Sequence, residues 1–337
     1  MKRKIENSIR MALQYILKER ERDYREAWSI FFWGLRDYLS FNHHFSPVIG
    51  DIFCRAIVLD TLIDLYNTGF VEKSIVTADL NYLISKKDKR GWKYYPDSNA
   101  LPEDADDTGL ILESLVRMKY DERYCNNIAK SLVGNILEDG AIFTWLVNPK
   151  EREKAEKRWG GGISPAVTAT VAYSIYFVDP IKYKKILEKT NFWLQRKLIS
   201  GKIQPVWYVS PLYAIYRITR FLKIYNNSLS DDIKEKIISL NVPDINSVLD
   251  LSYALIIQKI LGINADKSFV YRILNSQRAD GSFKEEYFHY YMPPNTLNIN
   301  LNILKKYRPD ILFYSSTTVS TTIALKTLVL IYRDIIK

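Results

Sequence analysis

The chain repeats one pattern six times: a strongly apolar stretch of helical length, each preceded by an amphipathic stretch that carries Lys and Glu. The apolar stretches fall at 49–67, 107–119, 166–178, 210–224, 247–262 and 316–335, the amphipathic ones at 4–36, 72–86, 122–138, 181–200, 229–240 and 266–276. A helix that is apolar all round must be buried, whereas a one-sided helix can cover it. The pattern therefore predicts an all-α fold, an α6/α6 toroid in which a ring of inner helices is wrapped by a ring of outer ones. Its 337 residues contain no low-complexity tract or long linker and are read as one toroid domain, 1–337.

Connection lengths support the pairing. Inner-to-outer links such as "KYDE" (119–122) and "VDPI" (178–181) span a few residues, as packed antiparallel neighbours need. Outer-to-inner links are mostly longer, and in an up-down ring they emerge on one face, where a rigid scaffold commonly carries its site. Those links hold Trp92, Tyr94, Tyr95, Trp145, Trp159, Trp207, Tyr208, Tyr287, Phe288, His289, Tyr290 and Tyr291. Any one ring is equally well explained as packing at the barrel mouth, but together they would line an aromatic pocket. Trp92, Tyr94, Trp145, Trp159, Trp207, Tyr208, His289 and Tyr290 are the candidate substrate-binding residues.

Composition narrows the partners. The net charge of +10 is spread over 48 basic and 38 acidic residues without a one-sign cluster, which argues against nucleic acid. The densest patch, "NPKEREKAEKRW" (148–159), alternates in sign. Its Lys150, Arg152, Lys154, Lys157 and Arg158 would suit an anionic headgroup or simply a solvated face. Cys54 and Cys125 are the only cysteines and lack zinc-type spacing, so free thiols in a reducing compartment are expected. The basic N-terminus is broken by charges too often for a signal peptide, and no apolar run is long enough to span a bilayer. A cytoplasmic protein follows, with peripheral membrane contact left open.

The segment "YPDSNALPEDADDTGLILESLVRM" (95–118) carries Glu103, Asp104, Asp106 and Asp107 directly before an inner helix. One Asp would serve as an N-cap and complement the helix dipole. A metal site needs further ligands: Asp231 and Asp232 look like another helix start, and His43, His44 and His289 are the only histidines. Alternatively, crowding at the lip of an apolar cavity raises carboxyl pKa values, so that one Asp keeps a proton near neutrality. Such an acid can protonate an alkene if aromatic faces stabilise the cation.

Asp104-Ala105-Asp106-Asp107-Thr108 resembles the Asp-x-Asp-Asp motif of the class II terpene cyclases, the group that includes squalene–hopene cyclase, and the ring of paired helices is similar to their toroid. "QRADGSF" (277–283) resembles the Gln-x3-Gly-x-Trp repeat of that superfamily, with Phe283 for tryptophan; "KKDKRGW" ending at Trp92 and "LEDGAIF" ending at Phe143 resemble degenerate copies. The resemblance implies a single-domain cyclase acting on a linear polyprenyl or prenylated aromatic substrate. Asp106 would be the general acid and Asp104 and Asp107 would orient it. It implies no metal and no cofactor in the chemical step, with magnesium relevant only to a diphosphate substrate. His289 is the candidate for a hydrogen-bonding helper of Asp106, and the segments 139–165 and 277–315 are candidate lids. A non-catalytic toroid that binds an isoprenoid or a partner protein stays open, as does a prenyltransferase-like or carbohydrate-active enzyme on the same scaffold.

Overall fold

The structure, a computed structural model, describes residues 1–32, 47–99, 101–203, 206–291 and 313–336. Six helices form the inner ring: α2 (Ile52–Asn67), α4 (Ala105–Arg117), α7 (Pro165–Val178), α9 (Pro211–Asn226), α11 (Val248–Ile260) and α13 (Thr317–Ile336). Each packs on the next, and α13 returns to α2, so the ring closes. The outer ring comprises α1 (Lys2–Glu21), α3 (Lys73–Ser85), α5 (Glu122–Val133), α8 (Lys184–Ile199), α10 (Asp231–Leu240) and α12 (Lys267–Ser276). An additional short helix, α6 (Arg152–Trp159), lies in the link before α7.

Burial follows the sequence pattern. Every residue from Ile52 to Leu65 of α2 and from Thr318 to Val329 of α13 is buried. On α5 only Cys125, Ile128, Ala129 and Leu132 are, the single stripe of an outer helix. Inner helices carry many Ser and Thr, which permit close approach and satisfy their own hydroxyls: Thr170 donates to Ala166 O and Thr322 to Thr318 O, each one turn back. Cys54 and Cys125 are free and buried. Among the described residues no helix is long and apolar enough to cross a membrane.

A recurring lock joins outer helix, turn and inner helix. The N–H groups of Trp92, Ile142 and Phe283 donate to the hydroxyls of Thr108, Thr168 and Thr321, at 3.0, 3.2 and 3.0 Å, and all three side chains are fully buried. In the middle copy the locked residue is therefore Ile142, where the sequence suggested Phe143. Gln277 closes the third turn by donating to Ser8 O and Gly281 O. Gly281 has φ +88°, and a Cβ there would stand 2.2 Å from Met11 O, so glycine is required on both counts.

Two features depart from expectation. The first outer helix, expected over 4–36, ends at Glu21, because beyond Ile16 the stretch "LKERERDYREA" offers no continuing apolar stripe; Asp23 and Tyr24 then take positive φ. Short strands follow instead: β1 (Ser29–Phe32) pairs antiparallel with β2 (Pro47–Gly50), and β3 (Glu286–Tyr290) with β4 (Phe313–Ser316). Glu286, the first residue of β3, caps α11 by accepting from the N–H groups of Val248 and Leu249, which seats the strand over the inner ring. His43, His44 and most of the expected 277–315 lid, residues 292–312, lie outside the described residues.

Deeper in the barrel, charged side chains of four inner helices meet. Asp60, Asp64, Glu113, Arg117, Arg217, Arg220 and Lys326 form one buried ionic plug, with Lys326 between Asp60 and Asp64 and Arg220 beside Glu113 at 2.5 Å. Burial alone would push the Asp60 carboxyl up, but Lys326 and Arg117 outweigh it and hold it low. Glu113 lies seven residues beyond Asp106 on α4, about 10 Å along the axis.

Candidate active site

The acidic segment is stitched into place before α4 begins. Asp104 N–H donates to Trp92 O at 2.9 Å, Ala105 N–H to Thr144 O at 2.7 Å, and Leu146 N–H to Glu103 O at 2.8 Å. Held between these neighbours, Asp104 becomes the N-cap, its Oδ1 accepting from Asp107 N–H at 2.8 Å. One of the three aspartates thus caps the helix, and the first turn aims the others elsewhere.

Asp106 and Asp107 are buried on the wall of a cavity with an empty volume of about 560 Å³. The phenol of Tyr208 donates to Asp106 Oδ2, while Oδ1 has no hydrogen-bond partner among the described residues. Burial pushes the Asp106 carboxyl up to about 6, with the Tyr208 bond and the Arg217 charge opposing the rise. Burial likewise raises Asp104 to about 7 against the Asp107 N–H bond. Asp107 goes well above the usual carboxylate range, through burial first and then the charges of Asp104 and Asp106. Desolvation rather than crowding is the main cause in all three. Asp106 therefore joins a proton held to mildly acidic pH, an oxygen fixed by a phenol and an oxygen without a partner.

Six of the aromatic and histidine candidates line this cavity: Tyr94, Trp145, Trp207, Tyr208, His289 and Tyr290. Trp92 and Trp159 do not. Trp92 is wholly buried in the first lock, its indole donating to Leu83 O, and Trp159 packs on Trp145 with ring centroids 5.7 Å apart. Phe53, Tyr95, Leu101, Thr144 and Tyr291 complete the wall. Phe53 was legible only through the repeat: it is the second residue of α2, as Asp106 is of α4. Its ring lies 5.6 to 6.2 Å from those of Tyr94, Tyr208, Phe288 and His289.

His289 does not hold Asp106. Its Nδ1 is 3.2 Å from Tyr290 O and its Nε2 2.8 Å from the Tyr94 hydroxyl. A carbonyl can only accept, so the ring proton sits on Nδ1 and Tyr94 donates to Nε2. Burial lowers the imidazole to about 4, leaving it neutral above that pH. Both Tyr208 and His289 are placed by backbone pairing between 207–209 and β3: Val209 N–H donates to Phe288 O at 3.0 Å and Tyr290 N–H to Trp207 O at 2.7 Å. These bonds flank Tyr208 and His289, making them a directly opposed, non-hydrogen-bonded pair with side chains on one face.

The basic segment 150–158 stands apart from the cavity wall. Lys157 pairs with Glu153, Arg152 donates to Gly134 O and lies over the Phe143 ring, and Arg158 lies over Trp159. Among the described residues none of those lining the cavity is Lys or Arg, and no group of three or more His, Cys, Asp or Glu side chains is arranged to hold a metal ion. Asp231 and Asp232 lie exposed in the first turn of α10.

No family model matches the sequence, and no curated protein does. The fold does match solved structures. Type II terpene cyclase MstE from Scytonema superposes with a TM-score of 0.71 at 17% identity, covering 99% of each chain. A variant of MstE in complex with geranylgeranyl dihydroxybenzoate gives 0.71 at 18% identity over 98% of each. ent-Copalyl diphosphate synthase from Streptomyces platensis gives 0.54 at 15% identity, covering 83% of this chain and 50% of its own. The architecture is thus the α/α toroid of the terpene cyclases.

Proposed function

We propose that this protein is a class II terpene cyclase that folds and cyclises a linear prenyl chain by protonating it, working as one toroid. Asp106 is the acid. Its O–H adds to the terminal alkene, forming a C–H bond and leaving a tertiary cation. The carboxylate left behind is steadied by the Tyr208 bond and the Arg217 charge. Each internal alkene then attacks the cation in turn, and the faces of Phe53, Trp145 and Trp207 stabilise the moving charge without trapping it. A dry cavity is essential because water would capture the cation. The supporting observation is Asp106 itself, a proton-retaining carboxyl with one unpartnered oxygen on an aromatic wall.

The substrate class follows from the wall. Apart from three carboxyls, Thr144 and Leu101, the described lining is aromatic, which supports a prenyl chain as substrate, in our reading one carried on an aromatic head. MstE has been captured with such a molecule. A carbohydrate enzyme would place a second carboxylate across the cavity, whereas the carboxylates on the described wall all come from one helix start. The protein would work in the cytoplasm, taking a lipid-like substrate at a membrane surface.

The test incubates the protein and its Asp106→Asn variant with geranylgeranyl dihydroxybenzoate, geranylgeranyl diphosphate, farnesyl diphosphate and squalene. Products are sought by mass spectrometry and NMR as isomers of unchanged mass with fewer double bonds. Isomers from the native protein and none from the variant are expected. Equal binding by both with no isomer from any substrate would refute the reading and leave a binding toroid.

A further inference from the structure

The cyclase reading, on which this inference rests, needs something to choose the alkene that Asp106 protonates, because a prenyl chain sliding deeper would offer an internal one. We propose that Phe288 makes this choice: wedged beneath Phe53 and Tyr208, it holds the cavity floor so close to the acid that only the last alkene of the chain reaches Asp106.

A β-bulge puts Phe288 there. In the β3–β4 ladder Tyr287 faces Ser315 and His289 faces Tyr314, so Phe288 is an extra residue between them. Strand side chains normally alternate, yet Phe288 and His289 are both buried, at 3% and 6%, while Tyr287 is 45% exposed. His289 takes its place on the cavity wall, and Phe288 packs behind it with ring centroids 6.1 Å apart. The Phe288 ring stands 5.6 Å from each of Phe53 and Tyr208, which are on the wall, and 5.7 Å from Tyr213 in the layer beneath. The layers continue downward. Tyr213 meets Tyr253 at 5.6 Å, Tyr253 stacks on Tyr216 at 5.8 Å, and Arg217 of the ionic plug lies over Tyr213 and Tyr216.

Two clasps keep the ribbon from settling into a gap at this position. Its base is the Glu286–Ser316 pair, and both sides are tied to inner helices. Glu286 accepts from Ser247 Oγ and from the N–H groups of Val248 and Leu249, at 2.6, 2.7 and 3.1 Å. Glu26 accepts from Ser316 Oγ and from the N–H groups of Thr317 and Thr318, at 2.9, 2.6 and 2.8 Å. Truncating Phe288 therefore leaves its space open, and Phe53, losing its backing, tips into it. The ring removed is about the size of one prenyl unit.

The chemical consequence is specific. With the floor intact, the terminal Me₂C=CH group meets the acid: the Asp106 O–H bond breaks, the π pair forms a C–H bond at the CH carbon, and the cation forms on the dimethyl carbon, which the next alkene attacks. With the floor lowered, the π pair comes from the next alkene instead. The cation then forms on that alkene's methyl-bearing carbon, the first ring closes there, and the Me₂C=CH group survives on an open side arm. Either cascade ends when a C–H bond gives its pair to a new C=C bond and its proton to solvent, so the products are isomers. Phe288 acts through Phe53 and Tyr208 and is a positioning residue.

Phe288→Ala and Phe288→Leu are compared with the native protein on geranylgeranyl dihydroxybenzoate, or on whichever substrate it converts, with products resolved by gas chromatography–mass spectrometry and NMR. The native product should have lost the Me₂C=CH group. In Phe288→Ala the share of cyclised product that retains it should rise about tenfold or more, and in Phe288→Leu by less. Products that all keep a dimethyl ring carbon, whether complete or stopped early, would overturn the floor while leaving the cyclase reading intact. Two folded but inactive variants would also overturn the floor, because the next alkene should still meet the acid. A native protein that converts nothing would overturn the cyclase reading and the floor with it. If melting by circular dichroism shows that Phe288→Ala does not fold, Phe288→Leu decides alone.

Discussion

Replacing Asp106 with Asn should make the protein more stable at alkaline pH while abolishing the proposed chemistry. Burial makes the folded state hold the Asp106 proton more tightly than the unfolded chain does, with values of about 6 against an ordinary 3.8. Below about pH 4 the carboxyl is protonated in both states and costs nothing. As pH rises through this interval the unfolded chain ionises first, and folding loses stability until the folded carboxyl ionises too. At ~1.4 kcal/mol per tenfold difference in proton affinity, the full penalty above about pH 7 is ~3 kcal/mol. Asn carries no charge and escapes it, and removing the charge also relieves Asp104 and Asp107, which Asp106 pushes up. Against this, the Asn NH₂ needs a partner where Oδ1 had none, costing ~1 kcal/mol. The expected gain is ~2 kcal/mol at pH 8 and none at pH 4. In urea it moves the midpoint upward without changing the slope. In thermal melts, with unfolding entropy of ~2.1 cal/mol/K per residue, it raises Tm by ~3 °C. A variant no more stable than the native protein at pH 8, or a gap that is the same at pH 4, would refute the claim that Asp106 is a desolvated acid.

Two further outcomes test the site and the scaffold. Tyr208→Phe removes the hydrogen bond that lowers the Asp106 carboxyl. Native turnover should fall as pH rises through about 6, and in the variant this alkaline limb should move to higher pH while the plateau drops by about tenfold or more; an unmoved limb would disconnect Tyr208 from the acid. Gly281→Ala should destabilise by ~3 kcal/mol or more, since positive φ and a backbone clash combine. Gly201→Ala, with φ +68° but nothing within 4 Å of the new methyl, should cost only ~1 kcal/mol, and equal costs in denaturant titrations would refute the close approach to Met11.

Much of this architecture was legible because inner and outer helices differ in kind. Continuous apolarity marks α2 and α13, a single stripe marks α5, and connection length orders them. The overlong first helix has a plain cause: "KERERDYREAW" is rich in helix-forming residues, and only the lost apolar stripe signals that nothing holds them to the core. The strands left no such signal. "EYFHY" is a short run in a long link, and its pairing with 207–209 is a contact across some eighty positions that no local pattern encodes. That is why the sequence offers Asp106 as a candidate without the Tyr208 phenol that bonds it, and why His289, expected beside Asp106, instead bonds Tyr94 and Tyr290 O. Trp92 was misread for a different reason. It fills the slot that Phe283 fills in the clearest copy of the repeat, and a slot that packs beneath a turn in one copy packs beneath it in the others.

The opposed pair of Tyr208 and His289 imposes a parity rule on this part of the chain. Side chains alternate faces along a strand, so inserting or deleting one residue near 207–209 or within β3 would turn Tyr208 or His289 away and bring in a neighbour, while a change of two would restore the face. Length variation here is therefore tolerated in even steps, or in a single step where a bulge takes up the extra residue, as β3 already does between Tyr287 and His289. The ribbon behaves as a ratchet that permits only jumps from one complete arrangement to another, never a gradual drift of the group beside Asp106 relative to the group beside Tyr94.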